Sequence, residues 1–453
     1  MRVAFIHPDL GIGGAERLVV DAAVGLQNNG NTVTMYTSHC DKTHCFEEVS
    51  SGALDTVVYG DWLPTKVLGK LHIVFAILRQ LYLTLALVLT GRIAQIDVFI
   101  VDQLSVAIPL IHYFKHKSAK VLFYGHFPDQ FLAPRESALK ALYRKPFDTL
   151  EELTTGCADK IVVNSKFTQS MFEKAFQRID LENVSVVYPC VDTAIPENAA
   201  LATEVSAFFQ GAQYFLSINR FERKKNIELA LQAFAEYKTA RSDPTKVKLV
   251  IAGGYDARVR ENVEYLRELE ALASSLHLKS IVLRGKLIAM PMNTDVIFMP
   301  SVSSGVKDEL LKAALALLYT PTNEHFGIVP LEGMRCGTLV IATDTGGPLE
   351  SIVSYFDDKT AATGFNVASD YVLWAQVLKL ITEDIHRDVV AQIQKNGPKR
   401  VKDLFSRDAM TSQIEATLEE ILPQVYRYEQ AVSSSWRFVC AVMLLAVALY
   451  NKK

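Results

Sequence analysis

The feature that most limits the folds open to this chain is the alternation of short β-branched runs with longer helical segments. Such alternation is typical of parallel sheets whose strands are connected by helices. The first set of predicted strands is Val3–His7, Thr32–Tyr36, Asp97–Val101, Lys120–Tyr124, Lys160–Val163 and Val184–Tyr188. The second set is Tyr214–Asn219, Lys248–Ala252, Ile281–Arg284, Leu315–Tyr319 and Leu339–Ala342. Two such sets in 453 residues predict two doubly wound α/β domains.

The domain boundaries follow from where the two sets of strands begin and end. We expect an N-terminal domain over residues 1–195, a linker with a short helix over 196–212, and a C-terminal domain over 213–400. Residues 401–430 are predicted to form a helix, and residues 431–453 form an apolar tail.

Composition narrows the class of protein further. The chain is 49% hydrophobic and 21% charged, so it can form large cores and is not intrinsically disordered. Its net charge of −3 argues against a nucleic-acid partner, which normally requires a basic surface. No uninterrupted run of 18 apolar residues is present, which excludes a polytopic membrane protein. The six cysteines do not form a disulfide framework in a chain of this length.

One segment inside the N-terminal domain, Leu71–Thr90, is nearly all apolar. As a helix it would place its few polar residues on one side. Both a buried core helix and a helix lying in a membrane interface fit this pattern.

A second apolar segment, Phe438–Tyr450, ends the chain just before Asn451 and two lysines. It would form roughly 20 Å of helix, which is short for a bilayer core of about 30 Å. We expect this tail to anchor the chain at a membrane.

A glycine-rich loop, Gly11–Arg17, follows the first predicted strand and opens a helix. Glycine lets the backbone approach a ligand closely, and a helix N-terminus offers N–H groups to phosphate. The dinucleotide fingerprint requires a third glycine where Glu16 stands, which weakens a dehydrogenase interpretation.

A basic turn follows the first strand of the C-terminal domain. Arg220 and Lys225 bracket this turn, at the edge where α/β sheets bind ligands. Their fixed positive charges suit a diphosphate.

The most specific motif runs from Glu324 to Glu332 and follows the predicted strand Leu315–Tyr319. Its glycine turn presents the backbone N–H groups of residues 326–328 as a helix opens, an arrangement that can hold phosphate. Glu332 can accept hydrogen bonds from the hydroxyls of a ribose, and Glu324 can reach a sugar. The Gly346-Gly347 turn after the next strand adds another place where a ligand can approach closely.

Taken together, the glycine-rich loop, the Arg–Lys pair and the two glutamates resemble the retaining GT-B glycosyltransferases of family 4 over most of residues 1–425. The segments H-P-D-L-G-I-G-G-A-E-R, H-F-P-D, S-I-N-R-F-E-R-K-K-N and T-P-T-N-E-H-F-G-I-V-P-L-E are similar to the eukaryotic mannosyltransferases of dolichyl-diphosphate-linked oligosaccharides. The resemblance implies two facing Rossmann-like domains, with the donor mainly on the second, and a 401–430 helix that crosses back to the first. It also implies membrane-associated apolar segments.

For this family, the expected reaction transfers mannose from GDP-mannose to Man1GlcNAc2-diphosphodolichol through an α-1,3 bond. It then transfers mannose to Man2GlcNAc2-diphosphodolichol through an α-1,6 bond, for protein N-glycosylation. The resemblance places the enzyme at the endoplasmic reticulum membrane, with its catalytic domains on the cytosolic face, and implies contact with other enzymes of the same pathway. Two alternatives stay open: a related family 4 enzyme that glycosylates membrane lipids from another nucleotide sugar, and a non-catalytic membrane-bound scaffold.

Residue by residue, the resemblance assigns a catalytic set and a donor-binding set. The catalytic residues it implies are His126, Glu324, Lys225 and Arg220. The donor-binding residues are Gly13, Gly14, Arg220, Lys225, Glu324, Phe326, Gly327, Ile328 and Glu332.

The sequence contains no Asp-x-Asp, the carboxylate pair typical of metal-dependent sugar transfer. Positive side chains and helix N-termini would then neutralise the leaving diphosphate, so we expect neither a metal nor a cofactor. No residue stands out as a carboxylate nucleophile.

The acceptor site is the least defined. Ser38–Cys45 holds two His-Cys pairs but lacks the second knuckle of a zinc site, so acceptor binding is favoured. Basic residues near the H-F-P-D turn could seat a lipid diphosphate, and a solvated surface helix fits the same residues. The acceptor candidates are His39, His44, Arg135, Lys140, Arg144 and Lys145.

Overall fold

The computed structural model describes residues 1–66, 72–132, 138–195, 197–240, 247–287, 290–291 and 293–423. Within these residues the chain forms two compact units. The first comprises Met1–Cys190 and the chain from Arg407, and the second is Val191–Ser406. The prediction of two Rossmann-like α/β domains is confirmed, since each unit contains one parallel sheet with helices between its strands.

The strands in chain order divide evenly between the two units. In the first unit they are β1 Arg2–Leu10, β2 Thr32–Cys40, β3 Asp55–Val58, β4 Val98–Asp102, β5 Lys120–Gly125, β6 Lys160–Val163 and β7 Val184–Val186. In the second unit they are β8 Gln213–Ile218, β9 Val247–Gly253, β10 Ser280–Val282, β11 Val296–Pro300, β12 Ala316–Tyr319, β13 Val340–Thr343 and β14 Gly364–Val367. Strands β3, β11 and β14 are absent from the sequence-based prediction.

The α-helices connect these strands. From the N-terminus they are α1 Gly14–Asn28, α2 Glu47–Ser50, α3 His72–Leu89, α4 Ile108–Phe114, α5 Asp129–Leu132, α6 Ala138–Thr155, α7 Lys166–Ala175 and α8 Ala199–Phe209. They continue as α9 Glu228–Thr239, α10 Arg260–Ser275, α11 Ser304–Ala313, α12 Ile328–Arg335, α13 Pro348–Ser351, α14 Tyr371–Lys379, α15 Arg387–Phe405 and α16 Arg407–Ile421. The segment predicted as a linker contains α8, which packs against α11 in the second unit.

Each sheet reverses its strand order near its centre. The first sheet has the order β3-β2-β1-β4-β5-β6-β7, and the second has the order β10-β11-β9-β8-β12-β13-β14. The loops after β1 and β4, and those after β8 and β12, therefore diverge at the carboxyl edges of their sheets. Such a reversal leaves a crevice in which α/β proteins bind ligands.

Helix α16 belongs to the first unit and packs on α1. Its side chains Met410, Ile414 and Leu418 join the core beneath β1 and β2. At its start, the Arg407 guanidinium donates to the buried Asp21 carboxylate of α1 at 2.7 Å. The last described helix of the chain thus completes the N-terminal core.

Helix α3 occupies the apolar segment predicted at 71–90, and it buries polar side chains together with apolar ones such as Ile77 and Leu83. Arg79, Gln80 and Thr84 are buried, whereas Leu85 and Leu89 are exposed. The Arg79 guanidinium donates to the Asp9 carboxylate at 3.0 Å and to the backbone oxygen of Ser38 at 3.2 Å. Among the described helices, α3 alone is long and apolar enough to cross a membrane, judged by length and composition. The tail over 431–453 lies outside the described residues.

Candidate functional site

The predicted donor residues of the second unit lie in the loops that follow β8 and β12 and in helix α12. Strand β8 lies between β9 and β12, so the strand order reverses next to it. Asn219–Asn226 follows β8, and Thr320–Gly327 follows β12. Adjacent parallel strands end at the same edge of a sheet, which brings these two loops together.

The loop after β8 contains the two predicted cations. Lys225 ends a short 3-10 turn, and Asn226 beyond it has a left-handed φ of +50°. The Thr320 hydroxyl donates to the backbone oxygen of Lys225 at 2.7 Å, which ties the turn to the loop after β12. Lys225 is only 11% exposed in its side chain, whereas Arg220 is 62% exposed and contacts Glu222 at 3.0 Å. Lys225 is thus held in place, and Arg220 is more exposed to a ligand.

Lys225 and Glu324, which are 99 residues apart in sequence, form an ion pair between their ammonium and carboxylate groups. The backbone of Glu324 is held by the loop after β13, because its oxygen accepts the N–H of Gly347 at 2.8 Å. A side chain at Gly346 would meet the Glu324 oxygen at 2.5 Å, so this close approach requires glycine. Three loops therefore fix the position of one carboxylate.

Gly327 precedes α12 and has a φ of +87°, a conformation that favours glycine. A side chain at this position would meet the Tyr319 hydroxyl at 3.0 Å. Burial, together with the nearby Glu324 and Glu332, raises the pKa of Tyr319 well above its usual value. Tyr319 is therefore a neutral hydroxyl beneath the turn. The predicted backbone groups of Phe326, Gly327 and Ile328 lie in this turn and the first residue of α12.

Glu332 projects from the second turn of α12 and contacts Lys307 of α11 at 2.5 Å. Both side chains are about one-fifth exposed, with Lys307 at 22% and Glu332 at 19%. Lys307 is absent from the sequence-based candidates because it precedes β12 and belongs to no recognisable motif. It neutralises the carboxylate that was predicted to hold a ribose.

The glycine-rich loop of the first unit follows β1 and leads into α1. Gly13 has an extended backbone and Gly14 is the first helical residue. A side chain at Gly13 would meet the carboxyl end of Glu16, while nothing lies within 4 Å of one placed at Gly14. Arg17 anchors the start of the helix by donating to Asp21 at 2.5 Å and to Glu48 at 2.8 Å.

His126 follows β5 and contacts a carboxylate that sequence reasoning missed. Its Nε2 lies 2.6 Å from Oδ1 of Asp102, the last residue of β4. The second oxygen of Asp102 lies 2.7 Å from Nδ1 of His7 in β1. Burial opposes the charge on His126, but Asp102 raises the pKa of His126 above its usual 6.5. The sequence offered one indication of this contact, because His7 and Asp102 are polar residues at the ends of apolar strand segments.

The acceptor candidates are scattered over the first unit. His39 is half-buried and contacts Asp61 at 2.5 Å through Nδ1, and His44 is exposed in the turn after β2. Burial and the neighbouring Cys45 raise the pKa of Cys40 to about 11. In the portion of the chain that the structure describes, no three His, Cys, Asp or Glu side chains are grouped to hold a metal ion.

The basic residues near the H-F-P-D turn differ in their burial and in their contacts. The Arg144 guanidinium is mostly buried and contacts Asp129 at 2.5 Å and Asp148 at 3.6 Å. Arg144 therefore ties α6 to this turn. Lys145 is exposed, Lys140 belongs to α6, and Arg135 lies outside the described residues.

Comparison with known proteins places this geometry in a family. The family model described as Glycosyltransferase Family 4 matches residues 12–195, and the one described as Glycosyl transferases group 1 matches residues 201–400. The chain is 49% identical to the alpha-1,3/1,6-mannosyltransferase ALG2 of Debaryomyces hansenii over 99% of this chain and 97% of that protein. It is 52% identical to the protein of the same name from Candida albicans over 92% of this chain and 98% of that protein.

A solved structure supports the GT-B fold. The glycosyltransferase of Rickettsia africae aligns with a TM-score of 0.67 over 93% of this chain and 99% of its own. The identity between the two chains is 15%, so this likeness concerns the fold alone.

Proposed function

This chain belongs to glycosyltransferase family 4 and, within it, to the alpha-1,3/1,6-mannosyltransferases represented by its fungal relatives, and we propose the specific reaction that it catalyses. The protein transfers mannose from GDP-mannose to Man1GlcNAc2-diphosphodolichol through an α-1,3 bond. It then extends Man2GlcNAc2-diphosphodolichol through an α-1,6 bond. The observation that carries the proposal is the close similarity to these enzymes along nearly the whole chain.

The leaving diphosphate is neutralised by protein groups in this proposal. Lys225 supplies a fixed positive charge beside the start of α12, and Arg220 supplies a more exposed one. The N-terminal end of α12 adds the partial positive charge of a helix terminus. These charges act where negative charge develops as the glycosidic bond breaks, which is where electrostatic stabilisation is most effective. A metal ion is therefore not required in the proposed reaction.

The two glutamates hold opposite ends of the donor. Glu332 accepts hydrogen bonds from the ribose hydroxyls, and the contact with Lys307 orients this carboxylate. Glu324 contacts the mannose, and its pairing with Lys225 links the sugar contact to the diphosphate contact. In the first unit, the proposed catalytic residue is His126.

The acceptor is a lipid, and the exposed leucines of α3 support a position at a membrane surface. We propose the cytosolic face of the endoplasmic reticulum as that surface. The candidates for the acceptor diphosphate and sugars are His39, His44, Arg135, Lys140, Arg144 and Lys145.

The reaction is tested by incubating the full chain with a short-chain Man1GlcNAc2-diphosphate lipid and a panel of nucleotide sugars, followed by mass spectrometry of the lipid. We expect GDP-mannose alone to add one and then two hexoses, with equal rates in the presence and absence of EDTA. Addition from a UDP-sugar instead would replace this proposal with that of a related lipid glycosyltransferase. The absence of any transfer would favour the non-catalytic alternative.

The donor site is tested by replacing two neighbouring lysines. Lys225→Ala removes the charge beside the diphosphate and is expected to lower kcat on the order of 100-fold. Lys224→Ala is the matched control, since Lys224 is 65% exposed and pairs with Glu222 at 3.3 Å. Equal activity of the two variants would contradict the site assignment.

A further inference from the structure

Three titratable side chains meet at the carboxyl edge of the first sheet, where its strand order reverses. His7 comes from β1, Asp102 ends β4, and His126 follows β5. One carboxylate oxygen of Asp102 contacts His126 Nε2 at 2.6 Å, and the other contacts His7 Nδ1 at 2.7 Å. Asp102 is fully buried, His7 is 1% exposed, and His126 is 20% exposed in its side chain. A single buried carboxylate therefore bridges a buried imidazole and a partly exposed one.

These hydrogen bonds determine which ring atoms hold protons. An ionised carboxylate only accepts hydrogen bonds, so both contacting nitrogens hold their protons. His7 Nε2 is buried and has no hydrogen-bond partner among the described residues. A proton on that atom would bury an unpaired charged N–H group, which is costly. An additional proton in this cluster is therefore favoured on His126, at Nδ1.

Other titratable groups around the cluster leave this arrangement intact. The Tyr124 ring lies 5.4 Å from the His126 ring, but the Tyr124 hydroxyl donates to the backbone oxygen of Val187 at 2.6 Å. Burial, followed by the charge of Asp102, raises the pKa of Tyr124 well above its usual value, so it stays neutral. Glu16 of α1 adds a negative charge that favours a charged His126. Of the residues that the structure describes, one neutral phenol and two carboxylates face His126.

We propose that Asp102, which is held by His7, is a positioning residue: it fixes the orientation of the His126 ring and leaves Nδ1 as a donor to a bound sugar. This inference rests on the proposed mannosyl transfer for the identity of the sugar. Its structural part, the control of His126 by Asp102 and His7, does not depend on which sugar is transferred.

The charge of Asp102 determines the protonation of His126. Burial alone would lower the pKa of His126, while the charge and hydrogen bond of Asp102 raise it above 6.5. The charged form is therefore present below this raised pKa and is lost as the pH increases through it. Replacing the carboxylate with an amide leaves burial as the dominant effect, so the pKa of His126 is then expected below 6.5.

The first measurement is histidine C2 hydrogen–deuterium exchange by mass spectrometry on the full chain, which follows the pKa of each imidazole without any substrate. We expect the midpoint for His126 above 6.5 in the wild type and below it in Asp102→Asn. Asp97→Asn is the matched control, because Asp97 precedes the same strand at its opposite end and pairs with the exposed Arg2. An unchanged midpoint in Asp102→Asn, or an equal shift in Asp97→Asn, would overturn the proposal.

The second measurement is mannose transfer as a function of pH. Asp102→Asn is expected to lower kcat on the order of 100-fold, the lower range for loss of a preorganised donor, with a much smaller change in KM for GDP-mannose. The alkaline limb of the remaining activity should move to lower pH.

Two variants distinguish a hydrogen-bonding role of His7 from a packing role. His7→Gln keeps an N–H donor and is expected to retain more of the activity and of the His126 midpoint than His7→Leu. Equal behaviour of the two variants would contradict a role for the His7 hydrogen bond. A wild-type protein that transfers no mannose would refute the proposed function, while the exchange measurement would still decide the control of His126.

Discussion

At the scale of single residues, Gly327 illustrates how the backbone shapes the donor site. Its φ of +87° and its closeness to the Tyr319 hydroxyl both exclude a side chain. Gly30 has nearly the same φ, +85°, but nothing lies within 4 Å of a side chain placed there. A comparison of substitutions at these two glycines therefore distinguishes the effect of backbone strain from the effect of steric contact.

We predict that Gly327→Ala and Gly30→Ala each lower the free energy of unfolding by roughly 1 kcal/mol through backbone strain. Only Gly327→Ala is expected to raise KM for GDP-mannose as well, because its methyl group displaces Tyr319 and the start of α12. Chemical denaturation and donor kinetics on both variants check this. A comparable rise in KM for Gly30→Ala would show that strain, and not the contact with Tyr319, is responsible.

The side chains that sequence reasoning selected and those that it missed differ in one respect. Lys225 and Glu324 stand in loops directly after predicted strands, and the structure brings them together. His7 and Asp102 look like ordinary ends of apolar strands, because their contact depends on β1 lying beside β4, which no local pattern reveals. Lys307 similarly depends on how α11 packs against α12.

At the scale of elements, the contact between α1 and α16 depends on a single glycine. A side chain at Gly25 would collide with the Thr411 hydroxyl, the nearest atom to it, and would approach the Thr411 Cβ to 3.2 Å. The Thr411 side chain is held in place, since its hydroxyl donates to the backbone oxygen of Arg407 at 2.8 Å. The helices therefore approach each other closely at this position.

We predict that Gly25→Ala lowers the free energy of unfolding by about 1–3 kcal/mol through overpacking. The double variant Gly25→Ala with Thr411→Ala should recover most of this loss, because the colliding hydroxyl is gone and alanine favours the helix over glycine. Thr411→Ala alone provides the matched reference. Thermal unfolding of the three variants measures the effect, and strict additivity of the two substitutions would contradict it.

Element prediction from the sequence was most successful for long apolar strands. Strands β1, β2, β5, β6 and β9 coincide with predicted segments within a few residues. The missed strands have local reasons: β3 is a four-residue edge strand beginning with Asp55, and β14 opens with Gly364. Strand β11 ends in Pro300, and a proline argues against a central strand in a sequence-based prediction.

At the scale of the whole molecule, α3 shows where part of the excess of apolar residues is located. The chain has a positive mean hydropathy of +0.15. Part of this excess is exposed on α3, at Leu85 and Leu89, while the polar Arg79, Gln80 and Thr84 are buried. The sequence placed the apolar segment correctly but left its orientation open, because the same pattern fits a core helix.

We predict that the double variant Leu85→Glu with Leu89→Glu lowers binding to phosphatidylcholine–phosphatidylserine vesicles, since the exposed apolar surface of α3 is lost. Folding should be unaffected, because neither side chain is buried. Leu373→Glu, at an exposed leucine of the second unit, is the control. Removal of 436–453 should weaken vesicle binding further without altering KM for GDP-mannose. Wild-type vesicle binding by the double variant in a sedimentation assay would show that α3 does not contact lipid.

The assignment of α16 to the first unit also has a consequence for biosynthesis. A ribosome that has completed Cys190 must translate all of Val191–Ser406 before Arg407 and the helix that follows it emerge. At about 5–20 residues per second this delay is roughly 10 to 40 s. During that time the apolar groove on α1 that later receives Met410 and Ile414 is uncovered. A chaperone is therefore expected to bind the nascent N-terminal unit. The residues of the second unit are contiguous, so that unit can finish folding first.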